Sequence, residues 1–211
     1  MTSRLLLSMM IVAMGALATT AASAAGCTGN VQFADDFTQV DPGWPSFDQV
    51  SIGGGKLQIK SDPNTGYWAV YGGNVFGDAD ICVDVSISPV TDPSAPGAAL
   101  DFWIADTKNY YNLGITPNGM AALSRFVNGK LLSPISWRKA PSLKTGANAV
   151  NSIRLTLKGN SISIYFNDQL FYKVNGVQPE GGGQIALEGW AEKANANTAT
   201  FANLKITDPS Q

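Results

Sequence analysis

The 211-residue chain contains no histidine. That absence removes Ser-His-Asp and Cys-His nucleophilic machinery and every zinc site built on imidazole. Glutamate is almost as scarce, with only Glu180, Glu188 and Glu192, and charged residues make up 14% of the chain. The longest basic cluster is Arg138 and Lys139, and the net charge is -2, so nucleic acid is not an expected partner. No basic amphipathic helix is available to lie on a membrane. The glycine clusters sit between strand-like segments, with neither a helix nor a P-loop lysine after them, so no phosphate loop is present. Carboxylates are what remain as acid and base.

What is present begins with an export pattern. Arg4 precedes an apolar run from Leu5 to Ala18, and "ASA" at Ala22 to Ala24 supplies the small residues that signal peptidase accepts. The run is shorter than the roughly 18 to 20 residues of a membrane-spanning helix, and no later stretch comes close, so no transmembrane segment is expected. Residues 1–24 are therefore expected to be a signal peptide, and 25–211 one exported domain, periplasmic or extracellular, long enough to bury a full core. Cys27 and Cys82 are the only cysteines, and in an exported chain they suggest one disulfide. "AAGC", ending at Cys27, is also similar to a lipoprotein box, with Ala24 where leucine is usual; lipidation of Cys27 would exclude the disulfide.

The rest of the chain reads as strands. In "NSIRLTLKGNSISIYFND" Ile153, Leu155 and Leu157 alternate with Arg154, Thr156 and Lys158; a Gly159-Asn160 turn follows; then Ile162, Ile164 and Phe166 alternate with Ser163 and Tyr165. Gly- and Asn-rich turns recur from Gly53 to Gly183, where tight hairpins demand positive φ. Thirteen strands are predicted, over 48–52, 56–60, 67–72, 79–88, 98–105, 109–116, 119–127, 130–136, 150–158, 161–167, 169–174, 183–190 and 198–206. That is too many for one open sheet, so the expected fold is all-β, with two antiparallel sheets packed face to face. Ile81, Val83, Val85 and Ile87 form the buried parity of their strand, which turns the Cys82 thiol to the outer face.

Strand parity also selects candidate site residues. Asp101, Trp103, Tyr110, Asn112, Glu188 and Trp190 all oppose the hydrophobic side of their strands. Arg125 is a further candidate, although "AALSRFV" leaves its face open and Leu123 would share it. Adjacent Tyr110 and Tyr111 must split, so one of them packs inside. Trp44 and Trp68, near strand ends, are expected in the core or at its rim; Trp137, in loop-like "ISWRKAPS", is left open between a groove edge and packing.

"FADDF" at Phe33 to Phe37, then Trp44, "GGKLQI", "GAALDFWI", "YYNLGI", the 151–168 hairpin, "GGQIALEGW" and the closing "ATFANLKI" follow one another as in the concanavalin A-like lectin and glucanase superfamily. The chain most resembles laminin-G-like jelly rolls and the bacterial 3-keto-disaccharide hydrolase-like family. The resemblance covers the whole chain after residue 24 and implies a jelly-roll sandwich whose concave sheet often carries carbohydrate. Its glucanases of glycoside hydrolase family sixteen use Glu-x-Asp-x-Glu on one strand. Here Trp190 replaces the aspartate between Glu188 and Glu192, and four extended residues separate those two backbones by roughly 13 to 14 Å.

Three functions follow as expectations. The leading one is a non-catalytic domain binding a polysaccharide or oligosaccharide through Asp101, Trp103, Tyr110, Asn112, Arg125, Glu188 and Trp190, because sugar rings ask for an aromatic platform beside amides and carboxylates. The alternatives are a glycoside hydrolase of (3-keto-)disaccharides pairing Asp101 with Glu188 across the sheet, and an adhesion domain that binds protein. No cofactor is expected. A structural calcium is a weaker alternative, if the first and last strands bring Asp35, Asp36, Asn203 or Asp208 together, against turn hydrogen bonds from the same aspartates.

Overall fold

The computed structural model describes residues 26–92, 96–192 and 195–209; the proposed signal segment lies outside them. Fourteen strands are found among the described residues: β1 (Val31–Asp35), β2 (Val50–Gly53), β3 (Lys56–Ser61), β4 (Thr65–Val70), β5 (Ala79–Ile87), β6 (Gly97–Asp106), β7 (Asn109–Ile115), β8 (Met120–Val127), β9 (Lys130–Lys139), β10 (Asn151–Lys158), β11 (Ser161–Phe166), β12 (Gln169–Asn175), β13 (Gln184–Ala191) and β14 (Asn197–Thr207). They form two antiparallel sheets, a jelly-roll sandwich. One sheet runs β12-β11-β10-β5-β14-β3-β2, with β1 on the far half of β14, and the other runs β4-β13-β6-β7-β8-β9. Each of the thirteen predicted strands has its counterpart here.

Alternation builds the core. The inward parity of β5 and β10 buries Ile81, Val83, Ile153 and Leu155, and that of β6, β7 and β13 buries Leu100, Leu113 and Leu187 against them. The β10–β11 hairpin closes in the expected register, with Ile153 opposite Phe166 and Lys158 opposite Ser161. Gly159, at φ 53°, supplies the left-handed turn conformation it needs. β1 is the element the alternation did not mark: its five residues are mostly exposed, and Phe33 packs only as a partly buried ring against the core.

Cys27 is bonded to Cys82, and both are buried. Cys82 sits on the outer parity of β5, between Arg154 and Lys205, and the segment around Gly26 lies across Arg154. The sulfur of Cys27 is thus engaged, and the lipid-bearing alternative is incompatible with this bond. Asp35 accepts from Phe37 N at 2.7 Å and Trp44 Nε1 at 2.8 Å, while Asp36 accepts from Thr38. Asn203 donates to Asp84, and Asp208 accepts from Asn30 and Gln32. The four residues weighed as calcium ligands therefore serve separate local contacts. Among the described residues no group of three or more His, Cys, Asp or Glu gathers, and no helix is long and apolar enough to cross a membrane.

Candidate functional site

The outer face of the six-stranded sheet gathers residues from all six of its strands. Its register sets Asp101 beside Asn112, Asn112 beside Ser124, and Glu188 between Trp68 and Ala99. Asn112 Nδ2 donates to Asp101 Oδ1 at 2.7 Å and to Glu188 Oε2 at 2.6 Å. One amide thus bridges two carboxyl groups on neighbouring strands.

Asp101 has 0% of its surface exposed, although it faces away from the core. The roof is aromatic. Trp68 of β4 and Tyr110 of β7 bring their ring centroids to 5.1 Å, yet their strands lie three places apart in a sheet with roughly 4.8 Å between neighbours. The two rings must therefore lean toward each other across β13 and β6, the strands that carry Glu188 and Asp101. Phe126 of β8 stacks on Tyr110 at 4.5 Å and extends the row.

A second aromatic pair lies at the other end of the amide. Trp190 and Trp137 have centroids 6.3 Å apart, and Trp137 is 50% exposed. Small residues make room for them. A Cβ on Gly97 would fall 2.0 Å from Trp190 Cζ2, and one on Gly114 would fall 3.2 Å from Trp190 Cη2, 3.1 Å from Trp137 Cη2 and 3.5 Å from Asn112 Oδ1. The Trp190 indole therefore lies down over β6 and β7, with the Asn112 carbonyl oxygen beside it. Glu188 Oε1 and the Trp190 Cβ both lie close to Gly66, which is exposed. The two acceptors that the amide bridge leaves over, Asn112 Oδ1 and Glu188 Oε1, thus border the tryptophan end.

Burial shapes the electrostatics. It pushes Asp101 well above the usual carboxylate range, and the Glu188 charge adds to this while the Asn112 hydrogen bond opposes it. Burial likewise pushes Glu188 up to about 7 against the Asn112 bond. Tyr110 is raised to about 12 by burial, then by the charges of Asp101 and Glu188. Asp101 Oδ2 is buried with no hydrogen-bond partner among the described residues. A charged carboxylate left that way would be strongly disfavoured, so the geometry itself argues for a proton held by the pair at neutral pH.

Four of the seven sequence-predicted residues, Asp101, Asn112, Glu188 and Trp190, occupy one continuous patch, with Tyr110 on its roof. Trp103 does not join them. It is 2% exposed, stands at φ 50°, and packs in the core against Phe102 and Tyr111, its Nε1 directed at the Gly77 carbonyl. The reason is a bulge: between the pairs Phe102–Tyr111 and Asp106–Asn109, β6 spends three residues against the single Tyr110 of β7. Parity is lost there, and Trp103 turns inward. Arg125 is also displaced. It pairs with Tyr111, on the core parity, and holds its guanidinium 5.4 Å from the Tyr111 centroid at the end of the sandwich. It meets Tyr110 and Phe126 only in a side recess of about 200 Å³. Glu192 lies past the end of β13, exposed, so the Glu188–Glu192 pairing does not form.

Trp68, Phe126 and Trp137 belong to the patch, and parity alone did not select them. The signal for Trp68 was its place before Ala69, which faces the core; for Phe126 it was the shared face of Leu123 and Arg125, which leaves Ser124 and Phe126 on the other side. Tyr111 packs in the core, as the split of the tyrosine pair required, and Trp44 is buried there too.

No protein-family model and no curated protein matches the chain. Solved structures do match. A carbohydrate-binding module, CBM66, from Bacillus subtilis is 21% identical over 78% of this chain and 90% of its own, with a TM-score of 0.58. A beta-glucanase from Bacillus licheniformis is 14% identical over 85% and 99%, at 0.63. The carbohydrate recognition domain of Emp47p is 13% identical over 84% and 95%, at 0.65. These are concanavalin A-like jelly rolls, and the chain shares that fold; at such identities the likeness is one of fold.

Proposed function

We propose that the chain is an exported, non-catalytic carbohydrate-binding domain that takes a neutral saccharide on the outer face of its six-stranded sheet. The observation that carries this reading is the pair of spare acceptors, Asn112 Oδ1 and Glu188 Oε1, bordering the Trp190–Trp137 rings. A sugar ring stacks its C–H face on an indole while its hydroxyls donate to amide and carboxylate oxygens. Among the described residues placed in this patch none is lysine or arginine, and the pair of carboxyl groups repels anions, which favours a neutral sugar over an acidic one. The Cys27–Cys82 disulfide supports an oxidising compartment, periplasmic or extracellular.

Burial of Asp101 argues against hydrolysis. A glycosidase places two carboxyl groups on one glycosidic bond, and Asp101 has no exposed surface with which to reach it. The reading is tested on a glycan array with wild type, Trp190→Ala and Asn112→Ala. Wild type is expected to retain at least one neutral glycan, and either substitution to weaken it tenfold or more. A wild type that retains no glycan contradicts the proposal.

One observation favours a second reading, hydrolysis of ordinary or 3-keto-disaccharides: Glu188, raised to about 7, is poised as a general acid. Measured turnover by wild type that disappears in Glu188→Gln would establish it. Turnover absent from both proteins leaves binding as the function.

A further inference from the structure

The outer face of the eight-stranded sheet carries a second constellation, of opposite chemistry. At its β10-β11-β12 edge the register sets Arg154 opposite Tyr165, Thr156 opposite Ser163, Lys158 opposite Ser161, and Lys173 opposite Ser163 from the other side. All these residues oppose the buried Leu155, Leu157, Ile162 and Ile164, so they share one face. Together they line a recess of about 350 Å³.

Three cations, three hydroxyls and a phenol make up that lining, with no carboxylate among them. Arg154 is fixed in place: its Nη2 meets Asp80 Oδ2 at 2.9 Å, its guanidinium lies 4.9 Å from the Tyr165 centroid, and its side chain is only 20% exposed. Lys158 and Lys173 are exposed, and among the described residues neither forms an ion pair. In the floor, Ser163 is 8% exposed and Thr156 Oγ1 is buried with no hydrogen-bond partner among the described residues. A buried hydroxyl is ordinarily satisfied, and here the one without a partner lies between the Arg154–Asp80 ion pair, Asp80 being its neighbour in β5, and two lysines that no carboxylate among the described residues neutralises. An oxyanion accepts several hydrogen bonds at once and is held most firmly by charged donors.

We propose that this recess binds an oxyanion, the sulfate, phosphate or carboxylate group of an acidic ligand. Lys158 and Lys173 supply the attraction, the Thr156 and Ser163 hydroxyls the floor donors, and Arg154, its charge balanced by Asp80, a rigid wall. The site is independent of the saccharide patch, which lies on the opposite sheet. The protein would then hold a neutral saccharide on one face and an acidic group on the other.

The test is an NMR titration of the isotopically labelled protein with sodium sulfate and with inorganic phosphate, at low ionic strength, with sodium chloride at matched ionic strength as control. Saturable shifts confined to amides around Thr156, Ser163 and Lys173, seen with the oxyanions and not with chloride, are expected. The double variant Lys158→Gln/Lys173→Gln, whose side chains are exposed, should weaken them tenfold or more, and Thr156→Val by a smaller factor, with the far-UV circular dichroism unchanged. Sulfated, phosphorylated and uronate oligosaccharides added in turn identify the carrier, and tighter binding of any of them than of its uncharged parent supports the site. Shifts that chloride reproduces, that survive the double substitution, or that fall on other strands overturn the proposal. So does binding to anionic vesicles that leaves these amides unmoved.

Discussion

Replacing Glu188 with glutamine removes one titrating group and keeps an acceptor for the Asn112 amide. Burial raises the Glu188 carboxyl from 4.5 to about 7 in the folded chain. Because the folded state holds this proton more tightly than the unfolded state, the associated stability is fully present below about pH 4.5 and is lost as pH rises through about 7. At about 1.4 kcal/mol per unit, the span from pH 5 to pH 8 corresponds to roughly 2 to 3 kcal/mol, a sizeable part of the 5 to 15 kcal/mol typical of a domain. Asp101 and Asp84, also raised by burial, tilt stability in the same direction. Asp84 is the same in both proteins and cancels in the comparison; of the Asp101 contribution the part due to burial cancels, while the part due to the Glu188 charge is lost with Glu188 and belongs to the effect measured. Urea unfolding at pH 5 and pH 8 reads the effect as a shift of midpoint at unchanged m. The stability of Glu188→Gln relative to wild type is expected to improve by about 2 to 3 kcal/mol between those pH values. A difference that stays constant with pH would refute the claim that Glu188 titrates as half of a buried, proton-sharing pair.

Other consequences separate the core from the site. Trp103→Ala should cost about 3 to 5 kcal/mol of stability, the range for emptying a buried aromatic site, and leave saccharide affinity in the folded fraction intact, as denaturation and calorimetric titration would show. Gly114→Ala should do the reverse: its new Cβ, 3.1 to 3.5 Å from Trp137, Trp190 and Asn112, displaces the rings and lowers saccharide affinity tenfold or more with little change in melting temperature. Removing the disulfide by Cys27→Ser/Cys82→Ala, which opens a loop of 55 residues, should cost about 4 kcal/mol in the chain-entropy view, read by denaturant unfolding.

Legibility in the sequence followed regularity of the backbone. Where strands keep an unbroken register, as through Asp101, Asn112 and Glu188, simple alternation assigned the outward face. It failed where the backbone departs from period two. Trp103 stands two residues beyond Asp101, and a flat strand would set it on the same face; the bulge of β6 turns it inward. Arg125 misled for another reason: a long cationic side chain can lie on a core-parity ring at the end of a sheet, and Arg125 does so on Tyr111. Trp68 was underrated because a ring at a strand end is ordinarily packing, and what draws it into the site is a reach across two intervening strands. The bridging amide was beyond sequence reasoning. Alternation can place Asn112 on the face of Asp101 and Glu188, but not show that one nitrogen serves both. β1 escaped because it has little apolar alternation of its own and is held by β14.

The most direct test of the account is the crystal structure of the protein soaked with a neutral oligosaccharide that it retains on the array. The account predicts a sugar ring stacked on Trp190, with hydroxyls within hydrogen-bonding distance of Asn112 Oδ1 and Glu188 Oε1. A saccharide seated on any other surface, with the Trp190–Trp137 rings bare, would contradict it.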